Sequence, residues 1–269
     1  MVVEELWQEL RNSSFEPAEF ELAFGDSGKM PAIEVPAKNM LAALRGFVDR
    51  VDIWKTDSGS FFRVVDYKTG KKDFDYCDVY NGVGLQMLLY LFALEREGKE
   101  LFSEEIVPAG VLYLPARDVL IHAPRGIDNT KLRAEMDKEL RRSGMVLDKP
   151  EVLNAMEHGV LDGPRFLPIA LDKEGSITKG VATAEELGKL GRYVDKLLER
   201  IAREMRSGNI DADPCGRGEN DNVCMYCEFA SACHFADLDP EEHLEVIRSV
   251  KPEDFWRYVD ETIGEEADA

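Results

Sequence analysis

The sequence predicts a mixed α/β domain, followed by a cysteine-rich lobe and a helical C-terminus. In the first half, runs rich in Val, Phe and Ile alternate with turn-forming residues, which indicates β-strands. In the second half, an apolar repeat at helical spacing indicates one long helix. Four of the five cysteines lie between residues 215 and 233. With 269 residues, 44% of them hydrophobic, the chain can bury one large core.

Composition and spacing predict the following elements in chain order. Short strands are expected at Phe20–Phe24, Ala32–Val35, Ile106–Leu114 and Val119–His122. Helices are expected at Val3–Arg11, Val79–Glu97 and Leu132–Leu140, and two polar amphipathic helices from Pro240 onward.

The longest predicted helix spans Ala184–Ser207. Thr183 and Glu186 have the spacing of a capping box, in which each side chain bonds the other residue's backbone N–H. Gly208 is typical of a helix end. The apolar face of this helix is predicted from residues that recur at helical spacing: Leu187, Leu190, Val194, Leu197, Leu198, Ile201 and Met205.

A β-hairpin is predicted near residue 57. The runs Ala43–Trp54 and Ser60–Tyr67 flank Lys55–Gly59, whose composition is typical of a turn. If the hairpin turns about Asp57 and Ser58, the numbers of directly opposed residues sum to about 115. This register is the basis for the candidate site.

In this register Asp49 faces Asp66, and Lys68 lies on the same face because side chains alternate along a strand. Asp52 is expected on the other face. Two opposed carboxylates repel each other, so they require a compensating cation. Asp oxygens beside a lysine suit Mg²⁺ or Mn²⁺, which prefer hard oxygen ligands. A solvated hairpin with scattered charges is the alternative for this spacing.

The charge balance bears on possible partners. The chain has 33 Lys and Arg against 53 Asp and Glu, a net charge of −20. This excess argues against a protein that coats DNA or membranes, because polyanions repel one another. Basic residues nevertheless gather around the hairpin, which suggests positive charge confined to one channel: Arg45, Arg50, Arg63, Lys68, Lys71 and Lys72.

Location follows from two further observations. No stretch reaches the roughly 18 to 20 apolar residues that a membrane span requires. The acidic N-terminal segment lacks the basic-then-apolar order of a signal peptide. We therefore expect a cytoplasmic protein whose cysteines are thiols or metal ligands rather than disulfides.

The pattern Cys224-x-x-Cys227-x(5)-Cys233 is typical of a metal centre. A C-x-x-C turn lets two thiolates reach one metal, and a third cysteine nearby adds another ligand. Tetrahedral Zn²⁺ and an iron–sulfur cluster both use this chemistry, and the spacing alone does not separate them.

Three motifs in order carry a resemblance to a known family. They are GFVDRVD at residues 46–52, VDYKTGKK at 65–72 and QMLLY at 86–90. Together they resemble the RecB-like branch of the PD-(D/E)xK nucleases, and are most similar to the B-subunit nuclease domain of AddAB-type helicase–nucleases. The resemblance runs from about residue 21 to 234. It implies a restriction-endonuclease-like mixed β-sheet flanked by helices.

The resemblance also implies site residues for a DNA exonuclease that uses Mg²⁺ or Mn²⁺. Asp49, Asp66 and the backbone carbonyl of Tyr67 would bind the metal, and Lys68 would be the catalytic lysine. Gln86 and Tyr90, four apart on one helix face, would contact the DNA strand. The alternative for these two is ordinary helix packing.

For the cysteines, the resemblance implies a [4Fe–4S] cluster held by Cys224, Cys227 and Cys233 and by a distant upstream cysteine. Here no cysteine precedes Cys77, which is interpreted as a packing residue, so Cys215 is the candidate local fourth ligand. Zn²⁺ remains the alternative metal. The family also places a metal-binding histidine upstream of the GxxD motif, yet no histidine precedes His122. We therefore expect this chain to be a fragment of a longer subunit.

The predicted organisation is a nuclease core at 1–207, a cysteine-rich metal lobe at 208–237 and a helical tail at 238–269. The expected partners are single-stranded DNA, a helicase–nuclease partner subunit and upstream domains of the parent chain, with no membrane. The expected function is double-strand break repair. The alternatives are a non-catalytic DNA-end-binding or scaffolding module, and a stand-alone nuclease of the CRISPR-adaptation type.

Overall fold

The computed structural model describes residues 2–25, 28–37, 40–57, 59–218, 220–235 and 244–264. The start of the helical region predicted from Pro240 and the acidic end of the chain lie outside these ranges.

The helices of the described ranges confirm the predicted first and longest helices. They are α1 (Val2–Arg11), α2 (Tyr76–Tyr80), α3 (Gln86–Phe102), α4 (Asn129–Leu140), α5 (Pro150–Met156), α6 (Ala184–Ser207), α7 (Ala230–Cys233) and α8 (Pro252–Gly264).

The strands are β1 (Glu16–Phe24), β2 (Ile33–Ala37), β3 (Met40–Leu44), β4 (Gly46–Thr56), β5 (Gly59–Lys68), β6 (Ile106–Pro115), β7 (Ser143–Leu147), β8 (Ala170–Leu171), β9 (Ile177–Lys179), β10 (Val181–Ala182), β11 (Cys215–Gly218), β12 (Asp221–Asn222) and β13 (Glu245–Val246).

A six-stranded mixed sheet, in the order β1-β4-β5-β6-β7-β10, forms the centre of the fold. β5 and β6 are parallel, as are β7 and β10, and the other neighbours are antiparallel. Parallel neighbours cannot be joined by a tight turn, and α3 lies in the crossover between β5 and β6. Its buried face packs against both strands. The predicted mixed sheet flanked by helices is confirmed.

The hairpin of β4 and β5 has the predicted register. Arg50 pairs with Val65, Asp52 with Arg63, and Thr56 with Gly59. In each pair the two residue numbers add up to 115, as predicted. The first run of the predicted hairpin, Ala43–Trp54, belongs to two strands, because the chain leaves the β conformation at Arg45 between β3 and β4.

The prediction of one helix over Val79–Glu97 is wrong. α2 ends at Tyr80 and α3 begins at Gln86. Between them, Gly82 and Gly84 have φ values of +73° and +69°. Glycine adopts this left-handed conformation without steric cost, so two closely spaced glycines interrupt the helix despite its apolar periodicity.

The strand predicted at Val119–His122 is also wrong. These residues have no regular secondary structure, and Leu120 is 80% exposed. A strand requires a hydrogen-bonded neighbour, and β6 already lies between β5 and β7 in the sheet. The true neighbour, β7, was not predicted. It contains Gly144, with φ +152°, where an added Cβ would collide with the backbone of Val111.

The capping box of α6 is confirmed. The Thr183 N–H donates to Glu186 Oε2 at 2.7 Å, and the Glu186 N–H donates to Thr183 Oγ1 at 3.2 Å. The predicted apolar face is buried as far as Leu198, whereas Ile201 and Met205 are 40% and 71% exposed.

The chain divides into two compact units. The first contains the central sheet and comprises Met1–Glu34, Ala43–Phe74 and Gln86–Val194. The second comprises Val35–Ala42, Asp75–Leu85 and Asp195–Ala269.

In the second unit, β11 lies between β12 and β13. α2 and α8 pack through aromatic rings, with Tyr80 and Tyr258 at a centroid distance of 4.4 Å. The Cys77 thiol accepts a hydrogen bond from the backbone N–H of Val250 at 3.3 Å. Cys77 therefore holds the segment before α8 against α2.

Candidate active site

Asp49 and Asp66 lie on neighbouring strands at the end of the hairpin ladder. The last backbone pair before them is Arg50 with Val65. Beyond it, the Tyr67 N–H donates to Asp49 Oδ2 at 2.9 Å. The Asp49 side chain thus continues the ladder in place of a backbone carbonyl, and the bond fixes the orientation of its carboxylate.

Asp66 is buried and forms an ion pair with Lys68, whose ammonium lies 2.7 Å from Asp66 Oδ2. Burial raises the pKa of Asp66; the Lys68 ammonium lowers it, and the charge of Asp49 raises it again, with a net increase. Lys68 also lies 5.9 Å from the ring centroid of Tyr113 on β6. The structure therefore brings Asp49, Asp66 and Lys68 together.

The donor atoms suit a divalent cation. The bond to Tyr67 engages Oδ2 of Asp49, and Oδ1 takes no part in it. Burial, with a smaller contribution from the Asp49 charge, raises the pKa of Asp66 by more than the Lys68 ammonium lowers it, so the lysine does not fully offset the cost of burying this carboxylate. A hard cation bound by oxygen would remove this imbalance, so Mg²⁺ or Mn²⁺ fits these residues.

Gln86 and Tyr90 contact each other on α3. Gln86 is exposed and its Nε2 donates to the Tyr90 hydroxyl at 2.7 Å, whereas Tyr90 is only 8% exposed. The Tyr90 ring packs edge-on against Phe24 at a centroid distance of 5.5 Å. Helix packing therefore accounts for the ring of Tyr90, and the exposed amide of Gln86 is the group available to a ligand.

Gly46, the first residue of the GxxD motif, has a packing role. A Cβ at this position would lie 2.8 Å from Cζ of Phe24 and 3.3 Å from the Tyr90 hydroxyl. Real Cβ contacts are longer, so any side chain here would displace one of these rings. Gly46 therefore allows α3 and β1 to approach the strand that carries Asp49.

Glu21 on β1 was not identified from the sequence. It lies between the pairs Phe20–Arg50 and Leu22–Val48, and is therefore level with Asp49. Glu21 is exposed and has a φ of +47°, which is unusual for a residue other than glycine. Such local backbone strain is frequent at functional sites.

The interpretation that all six basic residues near the hairpin form one positive channel is wrong. Arg50 and Arg63 are 1% and 0% exposed and point to the face opposite Asp49 and Asp66. There, each forms an ion pair with Asp52. The residue alternation placed Asp52 on this face correctly. The pairing with Asp52 accounts for the burial of Arg50 and Arg63, because a buried charge requires an opposite charge.

Two residues of this opposite face were not identified from the sequence. Glu9 of α1 and Arg142, which precedes β7, are both buried and paired with each other. The spacing of Glu5 and Glu9, on one face of a short helix, was the available signal. Acidic residues at that spacing are usually exposed, so the pattern did not indicate burial.

The cysteines of the second unit are free thiols. Burial raises the pKa of Cys224, and the neighbouring Cys227 and Cys233 raise it further. The Cys227 N–H donates to the Cys224 carbonyl at 3.3 Å, which folds the C-x-x-C segment into a turn. Within the described ranges, no group of three or more His, Cys, Asp or Glu side chains has metal-binding geometry. Cys215 lies on β11, paired with Glu245.

The central mixed sheet flanked by helices, with two carboxylates and a lysine on its hairpin, is consistent with a nuclease. The family description "PD-(D/E)XK nuclease superfamily" matches residues 1–234. The chain belongs to this superfamily, which confirms the resemblance carried by the three motifs.

Similar proteins include three bacterial proteins, each named as the B subunit of an ATP-dependent helicase/deoxyribonuclease. That of Acetivibrio thermocellus is 32% identical over 93% of this chain and 22% of its own length. That of Thermoanaerobacter sp. is 32% identical over 97% of this chain and 23% of its own length. That of Clostridium novyi is 33% identical over 93% of this chain and 22% of its own length. The chain thus spans less than a quarter of these relatives.

Across the described residues, no helix combines the length and the hydropathy that crossing a bilayer requires.

Proposed function

We propose that the chain is a DNA exonuclease domain that uses Mg²⁺ or Mn²⁺ and cleaves single strands by phosphodiester hydrolysis. The observation that carries the proposal is the pairing of two oriented carboxylates with one lysine: Asp49 bound to the Tyr67 N–H, and Asp66 bound to Lys68. Membership in a nuclease superfamily and relatives named deoxyribonuclease support the same reaction.

Asp49, Asp66 and the backbone carbonyl of Tyr67 would hold the metal. When bound, the ion supplies a Lewis acid for a phosphoryl oxygen and lowers the pKa of a water. The Lys68 ammonium, 2.7 Å from Asp66, would orient the attacking water and stabilise the negative charge that develops at phosphorus. Asp66 would thereby serve both the metal and the lysine.

Gln86 and Tyr90 would contact the DNA strand beside the metal. The exposed Gln86 amide can bond a phosphate or sugar oxygen while its bond to the Tyr90 hydroxyl fixes its direction. Because the net charge of the chain is −20, such neutral contacts and a few local cations would have to hold the strand.

Cys224, Cys227 and Cys233 would bind a [4Fe–4S] cluster, with Cys215 as the candidate fourth ligand, or Zn²⁺ in its place. Cys227 and Cys233 are close enough to raise the pKa of Cys224, which supports a shared metal, because the ligands of one metal must lie near one another. The role of this cluster would be structural.

The parent protein would act in a cytoplasmic helicase–nuclease complex that repairs double-strand breaks. The names of the relatives support this assignment. A partner subunit and further domains of the parent chain would deliver single strands to the site. Residues 1–207 would form the nuclease core, 208–237 the metal lobe and 238–269 the tail.

Cleavage of an end-labelled single-stranded DNA in Mg²⁺ and in Mn²⁺ tests the proposal. We expect the unaltered chain to release nucleotides, and Asp66→Ala and Lys68→Ala to lose at least about 100-fold in rate, the scale of losing one electrostatic stabiliser. Lys173→Ala, an exposed lysine in the turn between β8 and β9, is the matched control. Equal rates in all four proteins contradict these roles. Metal-independent DNA binding without cleavage would instead favour a non-catalytic DNA-end-binding module.

A further inference from the structure

Behind the candidate site, five charged side chains form a buried group that we call the arginine cluster. Its members are Glu9, Arg50, Asp52, Arg63 and Arg142. Each is at most 3% exposed, and together they carry three positive and two negative charges. Burying charges is unfavourable unless they are closely paired, so the cluster is held in one arrangement.

Within the cluster, Asp52 orients Arg50 through two contacts. Arg50 Nε lies 2.8 Å from Asp52 Oδ1, and Arg50 Nη2 donates to Asp52 Oδ2 at 3.0 Å. Glu9 Oε1 is 3.9 Å from Arg50. A planar guanidinium held by both oxygens of a carboxylate has little freedom to rotate.

The remaining nitrogen of Arg50, Nη1, donates to the Tyr67 hydroxyl at 2.9 Å. The guanidinium carbon also lies 5.6 Å from the centroid of the Tyr67 ring. Tyr67 is therefore bound at both ends. Its hydroxyl is fixed by Arg50 on one face of the sheet, and its backbone N–H binds Asp49 at the other end of the residue.

We propose that Arg50 is a positioning residue for the metal site. It acts through the Tyr67 hydroxyl, which fixes the peptide whose N–H orients the Asp49 carboxylate. This inference rests on the proposed function, because it assigns to Asp49 the role of metal ligand. It assigns a role to the Tyr67 hydroxyl, whereas the proposed ligand is the Tyr67 backbone carbonyl.

The consequence is a dependence of metal affinity on a side chain that cannot reach the metal. Groups that orient a metal ligand through a hydrogen bond change metal affinity by about 10- to 100-fold when they are lost. The Tyr67 hydroxyl is one step further from the ligand than such groups. We therefore expect its loss to weaken metal binding by about tenfold, the lower end of that range.

Titration of the full 269-residue chain with Mn²⁺, followed by calorimetry, measures this dependence. The test variant is Tyr67→Phe, which keeps the ring and the backbone and removes only the hydroxyl. Arg63→Lys is the matched control, because Arg63 pairs with Asp52 and Glu9 in the same cluster, whereas the bond to the Tyr67 hydroxyl comes from Arg50. Urea unfolding of each protein reports stability.

We expect Tyr67→Phe to weaken Mn²⁺ binding about tenfold and Arg63→Lys to change it less than about twofold. This difference should hold even if urea unfolding shows that Arg63→Lys is the less stable variant. A double variant with Asp49→Asn should show no further loss from Tyr67→Phe, because the ligand that the hydroxyl orients is already impaired. Equal weakening in Tyr67→Phe and Arg63→Lys, or an additive double variant, overturns the positioning role.

Asp66→Ala separates this inference from the proposed function. If the unaltered chain binds Mn²⁺ no more tightly than Asp66→Ala, no metal site exists at the hairpin and both proposals fall. If Asp66→Ala abolishes binding while Tyr67→Phe leaves it unchanged, the proposed function stands and only the role of Arg50 is overturned.

Discussion

Glu9 and Arg142 form a buried ion pair although 133 residues separate them in the chain. Arg142 Nε and Nη2 donate to the same oxygen of Glu9, at 3.0 and 2.5 Å. The other Glu9 oxygen accepts from Arg63 at 3.1 Å. One carboxylate of α1 thus connects the hairpin with the segment before β7, and this charge pairing binds α1 to the sheet.

Glu9→Gln should destabilise the fold by about 3–5 kcal/mol at neutral pH, because it leaves the buried Arg142 without its counterion. The loss should depend on pH. Burial alone raises the pKa of Glu9, but Arg142, Arg63 and Arg50 outweigh burial and hold the pKa below its ordinary value of 4.5. Because the pKa of Glu9 is lower in the folded state, its carboxylate stabilises the fold at pH values above the ordinary pKa. This contribution is lost as the pH falls toward the folded-state pKa.

Urea unfolding between pH 7 and pH 3 checks this prediction. The difference between the unaltered chain and Glu9→Gln should be largest at neutral pH and shrink below about pH 4.5. Glu4→Gln, an exposed carboxylate on the same helix, should unfold like the unaltered chain. A difference that stays constant across this pH range would show that the Glu9 charge is not what the arginines require.

Gly46→Ala should destabilise the chain by about 1–3 kcal/mol, the usual cost of overpacking. The new Cβ would lie 2.8 Å from Cζ of Phe24, and one of the two neighbouring rings must move. Thermal unfolding measures the effect. Gly70→Ala is the control, because nothing lies within 4 Å of a Cβ at that position. Equal melting temperatures for the two variants would contradict the packing role of Gly46.

Gln86→Ala should weaken binding of single-stranded DNA by about fivefold, the value of roughly one hydrogen bond. Fluorescence anisotropy of a labelled strand, with Ca²⁺ in place of Mg²⁺, measures affinity without cleavage. Gln8→Ala is the matched control for Gln86→Ala. The Gln8 side chain also donates a hydrogen bond to a residue four positions away on a helix, Glu4, at 2.7 Å. If both variants bind DNA as the unaltered chain does, Gln86 has no role in binding the strand.

Cys224→Ser should lower the bound metal per chain, because each thiolate would supply one ligand. Iron and zinc contents and visible absorption after anaerobic purification distinguish a cluster from Zn²⁺. Cys77→Ser is the control, since the Cys77 thiol is bonded to the Val250 backbone. A metal content that is equal in the two variants, or zero in the unaltered chain, would refute a metal centre at these cysteines.

Local patterns in the sequence predicted the hairpin and its register well. Alternation and turn composition are properties of neighbouring residues, so Asp49 and Asp66 could be assigned to one face and Asp52 to the other. The capping box of α6 was equally predictable, because Thr183 and Glu186 bond each other's backbone within one turn.

Two other features did not follow from periodicity or alternation. The periodicity of Val79–Glu97 favours one helix, and only the left-handed conformation of Gly82 and Gly84 divides it. The strand predicted at Val119–His122 is absent because a strand forms only beside a free sheet edge, and alternation does not reveal whether an edge is available.

The sequence by itself determined the family, the hairpin register and the set of candidate site residues. Tertiary structure alone decided which charges are buried. Arg50 and Arg63 are indistinguishable from surface cations in the sequence, and their burial depends on Glu9, which α1 brings to Arg63 across a separation of 54 residues. A charge enters the interior only when its partner arrives with it, and the partner's position is a property of the whole fold.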